Sequence, residues 1–326
     1  MSQACAVHFV AKERAELVAE AHRDQPLGPH EISGQTLVSL ISPGTELSWG
    51  YTGDKFPIGS GYGALFQVEA MGSEVTDVKV GDRGICLGNH RSDQRVERDR
   101  MVLVPEGLDP MQAVFARLMV VSMATLTTTT ARPPGRVLVT GLGAVGHIAA
   151  QNFAGAGYEV WACDPDAGRR EMALRAGIQT VVAKVPVEDQ AWAGKIDLVV
   201  ECSGHEGAVL DGCKVVRKGG EVVLLGVPWK RKSEVYAFDV LHAVFHRYAV
   251  LRSGWEWELP WNETDYRIGS TVGNITGAIR WLAEGRVKVA GIYVVLSPRE
   301  CQRAYQELLT QKPGKLTTVL DWRLLK

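Results

Sequence analysis

From Val137 to Gly254 short apolar runs alternate with helix-length segments, and each run stops at Gly, Asp or Ser. That alternation is the signature of βαβ units laid into a parallel sheet. It predicts six strands, Val137–Thr140, Tyr158–Cys163, Thr180–Ala183, Asp197–Cys202, Glu221–Leu225 and Ala249–Ser253. Helices are expected at Ala144–Ala154, Gly168–Ala176 and Glu206–Val216, the first two closed by Gly155 and Gly177, with a weaker link around Val187–Ala193. Before Arg132-Pro133-Pro134-Gly135 the texture changes to short β-like runs, Gln35–Ile41, Gly63–Ala70, Gly84–Leu87 and Met101–Val104, between Gly-, Pro- and Asp-rich turns. After Trp255 the pattern gives a helix over Ile275–Glu284, a strand Tyr293–Leu296, a helix Pro298–Leu309 and a strand Leu316–Asp321. This tail is too small for its own core and is expected to return to the first domain.

Composition narrows the function classes. The 326 residues suggest two domains, and 46% hydrophobic with 22% charged residues is the balance of a globular chain. A formal net charge of −1 provides no global field for nucleic acid or an acidic membrane, so neither is expected as a partner. Six cysteines without a C-x-x-C pair read as reduced, buried side chains. The first turns hold His8, Lys12, Glu13 and Arg14, and the longest apolar stretch, near Val114 to Val121, contains Arg117. These point to a cytoplasmic protein.

Gly141-Leu142-Gly143-Ala144-Val145-Gly146 follows the first predicted strand of the parallel set and opens a helix. In that context Gly141 permits a tight turn, Gly143 admits a pyrophosphate, Gly146 lets helix and strand pack, and the N–H groups at Ala144 and Val145 face the phosphates. Asp164 ends the next strand 23 residues after Gly141, close to the spacing of a ribose-binding carboxylate. A carboxylate there repels a 2′-phosphate, which favours NAD(H) over NADP(H), while Arg169 and Arg170 keep the second coenzyme open. The plain alternative for Asp164 is a solvated turn residue. Ser203-Gly204 and Gly226-Val227 end two further strands on the same edge and join the candidate coenzyme contacts.

The order of parts resembles the medium-chain dehydrogenase/reductase family, on the stretch Glu69–Arg83 (Glu-Ala-Met-Gly-Ser-Glu-Val-Thr-Asp-Val-Lys-Val-Gly-Asp-Arg), the glycine fingerprint, and Gly314-Lys315-Leu316-Thr317-Thr318-Val319. The resemblance implies an α/β fold. It comprises a GroES-like β-barrel catalytic domain over 1–117, a Rossmann domain with a doubly wound, six-stranded parallel sheet over 118–255, a returning segment over 256–326, and a homodimer. Ile41-Ser42-Pro43-Gly44-Thr45-Glu46 and Gly61-Tyr62 are similar to the branch containing the bacteriochlorophyllide hydroxyethyl dehydrogenase. Zinc-dependent members carry metal ligands where this chain has Pro43, Tyr62 with Gly63, and Ala116, so a catalytic zinc is expected to be absent. The family's four-cysteine structural zinc lobe is missing as well. His242 and His246, one helical turn apart, lack a third ligand and read as a polar helix face.

Hydride transfer at a carbinol carbon leaves a proton to manage on oxygen, and without a Lewis acid hydrogen-bond donors must do it. Thr45 matches the hydroxyl that contacts substrate oxygen in zinc-containing relatives, and Tyr62 offers a phenol as general acid or oxyanion donor. The plain alternatives are a turn-capping Thr and a core Tyr. Glu46 and His90 follow as weaker candidates, Glu46 as a loop brace and His90 as a proton path to solvent or simply a solvated loop histidine. Trp255, Trp257 and Trp261, if extended, place Trp255 and Trp257 on one face and line a substrate pocket, a core or an interface. The expectation is a zinc-independent NAD(H)-dependent oxidoreductase working between a secondary alcohol and its ketone in an interdomain cleft. The alternatives are an NADPH-dependent quinone or enone reductase and a non-catalytic nicotinamide-binding protein.

Overall fold

The computed structural model describes residues 4–21, 25–312 and 314–325. The chain forms two compact units, 1–117 with 289–326, and 118–288.

The second unit is built on six strands, β1 (Arg136–Thr140), β2 (Glu159–Cys163), β3 (Thr180–Val182), β4 (Ile196–Glu201), β5 (Val216–Leu224) and β6 (Val250–Ser253), in the order β3-β2-β1-β4-β5-β6 with every pair parallel. That order reverses direction beside β1, which leaves a crevice at the carboxyl ends of β1 and β4. Alternate residues of β1 feed opposite cores: Val137 and Val139 pack with Phe153, Leu198 and Val200, whereas Leu138 packs with Ile196, Val199 and Val222. A strand covered on both faces reads as a continuous apolar run, and this is why the second unit is so visible in the sequence.

Helices α1 (Ala144–Gly155), α2 (Ala167–Arg175) and α3 (Glu206–Val215) fall where the apolar spacing puts them. At the end of α1, however, Gly155 is still helical. The left-handed position is Gly157 (φ +92°), and Tyr158 N donates to the carbonyl of Phe153. The end of α2 is the expected one, with Gly177 at φ +104°. No helix forms over Val187–Ala193; turns connect β3 to β4, and Trp192 fills the gap by packing on Trp161 at 4.2 Å between ring centroids. The unit also holds two further helices, α4 (Ala237–Arg247) and α5 (Thr271–Ala283), and most of the helix Ala116–Thr128. The sequence reading places α5 with the returning segment, but residues 256–288 cluster with the parallel sheet. Helix α4, of which the sequence reading had only the His242 and His246 face, turns its large side chains Phe238, Leu241 and Phe245 outward.

In the first unit one mixed sheet runs Tyr293–Leu296, Thr317–Asp321, Glu31–Leu40, Ala64–Met71, Arg83–Cys86, Val102–Val104, with Asp93–Glu97 also paired to Glu31–Leu40. A smaller antiparallel sheet joins Arg14–Ala19, Cys5–Ala11 and Ile58–Gly59. The fold class is thus a doubly wound α/β sheet with a separate β-rich unit, and the tail enters the latter as two strands. All six cysteines are free, four of them buried; Cys5 and Cys202 are half-buried, against the expectation for the whole set. The segment Pro110–Thr128 is long and apolar enough to cross a membrane, yet 67% of that window lies inside the fold.

Candidate functional site

Two constellations emerge, one in each unit. In the second unit the glycine turn leaves β1 directly. Gly141 sits at φ +82°, and a side chain there would meet the Ser203 backbone at 2.8 Å. A Cβ on Gly146 would lie 1.8 Å from the Gly141 carbonyl oxygen, so the helix can begin this close to the strand only with glycine at that position. Gly143, the N-cap of α1, has open space where its Cβ would be. The turn therefore has a bare backbone at the mouth of a 12-residue helix, with the N–H groups of Ala144 and Val145 in its first turn. This cradle fits a diphosphate.

Asp164 ends β2 as expected but is only 2% exposed. One carboxylate oxygen accepts from Leu142 N at 2.7 Å and the other from Asp166 N at 2.8 Å, which ties the glycine turn to β2. Arg169 lies 3.6 Å from the same carboxylate, while Arg170 is bonded to the carbonyls of Asp164 and Pro165. The solvated-turn alternative is therefore not what the structure shows.

Ser203, Gly204, Gly226 and Val227 converge beside the turn. Gly204 is left-handed (φ +59°), a Cβ on it would touch the Val227 carbonyl at 2.6 Å, and one on Gly226 would meet Gly204 N at 2.3 Å. The residue that holds this corner, and that sequence reasoning missed, is Glu201. It is fully buried and accepts from Ser203 N at 2.7 Å, Gly204 N at 3.0 Å and the Ser203 hydroxyl. Burial pushes its carboxyl above the usual range, against those hydrogen bonds. A glutamate inside an apolar strand run was the available signal.

In the first unit, Ser42 precedes a helical turn, Pro43–Thr45, that continues as a π-helical turn over Glu46–Tyr51, a local form common at functional sites. The turn brings Ser42 and Thr45 beside Tyr62, where both side chains favour the ionised form of the phenol. Arg117, 2% exposed, donates from Nε to the Tyr62 carbonyl at 3.1 Å and lays its guanidinium 4.5 Å from the ring centroid. Burial raises the Tyr62 phenol above its ordinary value; Glu46 nearby adds to this, and Arg117 with the two hydroxyls opposes it. The phenol is consequently protonated at neutral pH and serves as a donor. The lowered value that base catalysis would need is not what this setting produces.

Behind that turn runs a buried polar chain. Trp322 Nε1 donates to Ser39 Oγ at 2.9 Å, Ser39 Oγ meets His90 Nδ1 at 2.8 Å, and His90 Nε2 meets Glu46 Oε2 at 3.1 Å. Tyr305 donates to the same Glu46 oxygen at 2.6 Å, and Ser42 N donates to Oε1 at 2.7 Å. The indole N–H of Trp322 donates into the chain at one end and the Tyr305 O–H donates to the Glu46 carboxylate at the other, while the roles of the two His90 ring nitrogens between them follow its tautomer. Glu46 thereby braces the Ser42–Thr45 turn. His90 has no exposure at all, so the solvated loop histidine, and with it a direct step from His90 to solvent, is replaced by a buried structural link.

Thr45, Tyr62, Glu46 and His90 thus belong to one cluster, and Ser42, Arg117 and Tyr305 complete it. Arg117 was legible only as a charge inside an apolar run. Of the positions that correspond to metal ligands, Pro43, Gly63 and Ala116 have no donor side chain, and the described residues contain no group of three His, Cys, Asp or Glu placed to hold a metal ion. His242 and His246 do share a helix face on α4, with ring centroids 4.2 Å apart. The tryptophans are not arranged as expected: Glu256–Glu258 is a 3-10 turn, and Trp255 and Trp257 are 55% and 48% exposed rather than aligned on a strand face.

Residues 144–261 match the family model described as zinc-binding dehydrogenase. This region lies in the second unit and contains none of the metal-ligand positions discussed above. An alcohol dehydrogenase of Geobacillus stearothermophilus is 26% identical over 274 residues, 72% of this chain and 75% of the relative. Among solved structures, galactitol-1-phosphate dehydrogenase from Escherichia coli is 15% identical with a TM-score of 0.82, covering 97% of this chain and 99% of that one. A Sinorhizobium meliloti chain bound to NADP is 18% identical with a TM-score of 0.74, covering 98% and 100%. These likenesses extend over both units.

Proposed function

We propose that the chain is an oxidoreductase of the medium-chain dehydrogenase/reductase superfamily that uses a nicotinamide coenzyme and interconverts a ketone and its secondary alcohol without zinc and with NAD(H), a reading supported by the match to the zinc-binding dehydrogenase model and by the alcohol dehydrogenase relative. The reading is carried by the Tyr62 phenol, set against the buried Arg117 with Ser42 and Thr45 beside it, at a place that corresponds to a metal ligand in zinc-dependent members of the family it resembles.

A bound dihydronicotinamide would supply the hydride for the carbonyl carbon, and its diphosphate would lie on the Gly141–Gly146 turn and the first N–H groups of α1. Tyr62 donates its O–H to the substrate oxygen as charge develops there, so the proton ends on the alcohol. Thr45 and Ser42 stabilise the resulting phenolate and return a proton to it from water. Glu46, fixed by His90 and Tyr305, keeps the turn that presents those hydroxyls. Preference for NAD(H) rests on the Asp164 carboxylate at the end of β2, with Arg169 beside it as the countervailing charge. A homodimer belongs to the same reading, supported by β6 as the terminal strand of its sheet and the outward Phe238, Leu241 and Phe245 of α4. The likeness to the bacteriochlorophyllide hydroxyethyl dehydrogenase branch names no substrate in this proposal.

The test is turnover of secondary alcohols with NAD and of ketones with NADH, set against enones and quinones with NADPH, on protein checked by elemental analysis. Tyr62→Phe and Thr45→Val should each lower turnover by roughly 10²-fold or more. Stoichiometric zinc, unchanged rates in both variants, or turnover confined to enones overturns the reading. Tight coenzyme binding without turnover of any substrate favours the non-catalytic alternative.

A further inference from the structure

Arg117 has an unusual position for a cation. It is buried to 2% exposure in the first turn of the helix Ala116–Thr128, where the helix dipole disfavours positive charge. The space it occupies is reserved: a Cβ on Gly63 would come within 2.6 Å of Arg117 Cγ, so the residue beside Tyr62 must be glycine for the arginine stem to pass. The guanidinium then stacks on the Tyr62 ring while Nε bonds that residue's carbonyl.

We propose that Arg117 is a positioning residue whose buried cation, stacked on Tyr62, strengthens the phenol as an acid and so takes over the electrostatic part of a metal's role in this cluster. This rests on the proposed reduction. During that step the phenolic O–H bond breaks, the proton goes to the substrate oxygen, and negative charge appears on the Tyr62 oxygen. Glu46 opposes that charge, Ser42 and Thr45 favour it, and the Arg117 guanidinium, stacked on the ring, is a cation that favours it. A positive charge in contact with the ring is attracted most strongly when the ring becomes phenolate.

The experiment places a fluorinated tyrosine at position 62, so that its phenol titrates in an accessible range, and reads that titration by absorbance in the otherwise unaltered full chain, in Arg117→Met and in Gly63→Ala. Arg117→Met should raise the phenol by about 1–3 pK units, the usual effect of removing an opposite charge at this distance. Gly63→Ala, which keeps the charge but displaces the stem, should give a smaller shift in the same direction. With the natural tyrosine, Arg117→Met should lower kcat for ketone reduction about 10-fold or more with little change in KM, moving the alkaline limb of the profile upward, and Arg117→Lys should recover part of the rate. A phenol titration unmoved by either substitution overturns the inference, as does a kcat insensitive to Arg117→Met. Absence of ketone reduction in the parent protein defeats the reading of function instead, and the titration still decides the role of Arg117.

Discussion

His147, in the first half of α1, is the most direct place to test how the dinucleotide unit is held together. It is 2% exposed, its Nδ1 has no hydrogen-bond partner in the structure, and burial lowers its pKa from 6.5 to about 4. In the unfolded chain the same imidazole titrates at about 6.5. Above that value both states are neutral and the folded state keeps its full stability. As the pH falls from 6.5 towards 4, only the unfolded chain gains the proton, so stability is lost across that window. The linkage relation gives a loss of about 2 kcal/mol by pH 5 and about 3 kcal/mol once the pH is below both values. His147→Leu removes the titration and the unpartnered nitrogen while keeping most of the volume. Urea unfolding of the two proteins between pH 8 and pH 5, followed by far-UV circular dichroism, should show the parent losing that margin relative to the variant. A stability difference that does not change with pH, or an NMR titration of His147 near its ordinary value, would falsify the argument.

Three further outcomes are expected. Gly146→Ala forces a methyl against the Gly141 carbonyl and should weaken NADH binding by roughly 10-fold or more, about 1.4 kcal/mol, in a fluorescence titration; unchanged affinity would mean that the turn does not hold the diphosphate. Asp164→Ala should weaken NADH and narrow its advantage over NADPH, whereas Arg169→Ala should weaken NADPH alone; equal affinities for both coenzymes in the parent protein contradict the NAD(H) assignment. Phe245→Glu on the exposed face of α4 should shift the chain from dimer to monomer by light scattering, and a parent protein that is already monomeric at micromolar concentration removes the homodimer from the reading.

The strands of the second unit and its glycine turn were legible because their information is local. A strand buried on both faces must be apolar throughout, and a turn whose Cβ positions are occupied by backbone must be glycine. Asp164 could be found by spacing alone, but its near-complete burial could not. The first unit was less legible. Cys5–Ala11 and Arg14–Ala19 alternate weakly, and Asp93–Glu97 consists mostly of polar residues whose ladder partner lies some sixty residues earlier. Of helix α4 only the His242 and His246 face was read from the sequence, and the outward orientation of Phe238, Leu241 and Phe245 was not.

What the sequence determined by itself is the parallel sheet, the phosphate-type turn and the two hydroxyls worth testing, since residue type and short-range spacing are enough to specify them. Only the tertiary structure decided the electrostatics: that Tyr62 shares its surroundings with Ser42 and a buried Arg117, that His90 is sealed between Ser39 and Glu46, and that Glu201 closes the corner beside the turn. Proton affinity and hydrogen-bond direction depend on burial and on partners distant along the chain, and neither is written in the neighbouring residues.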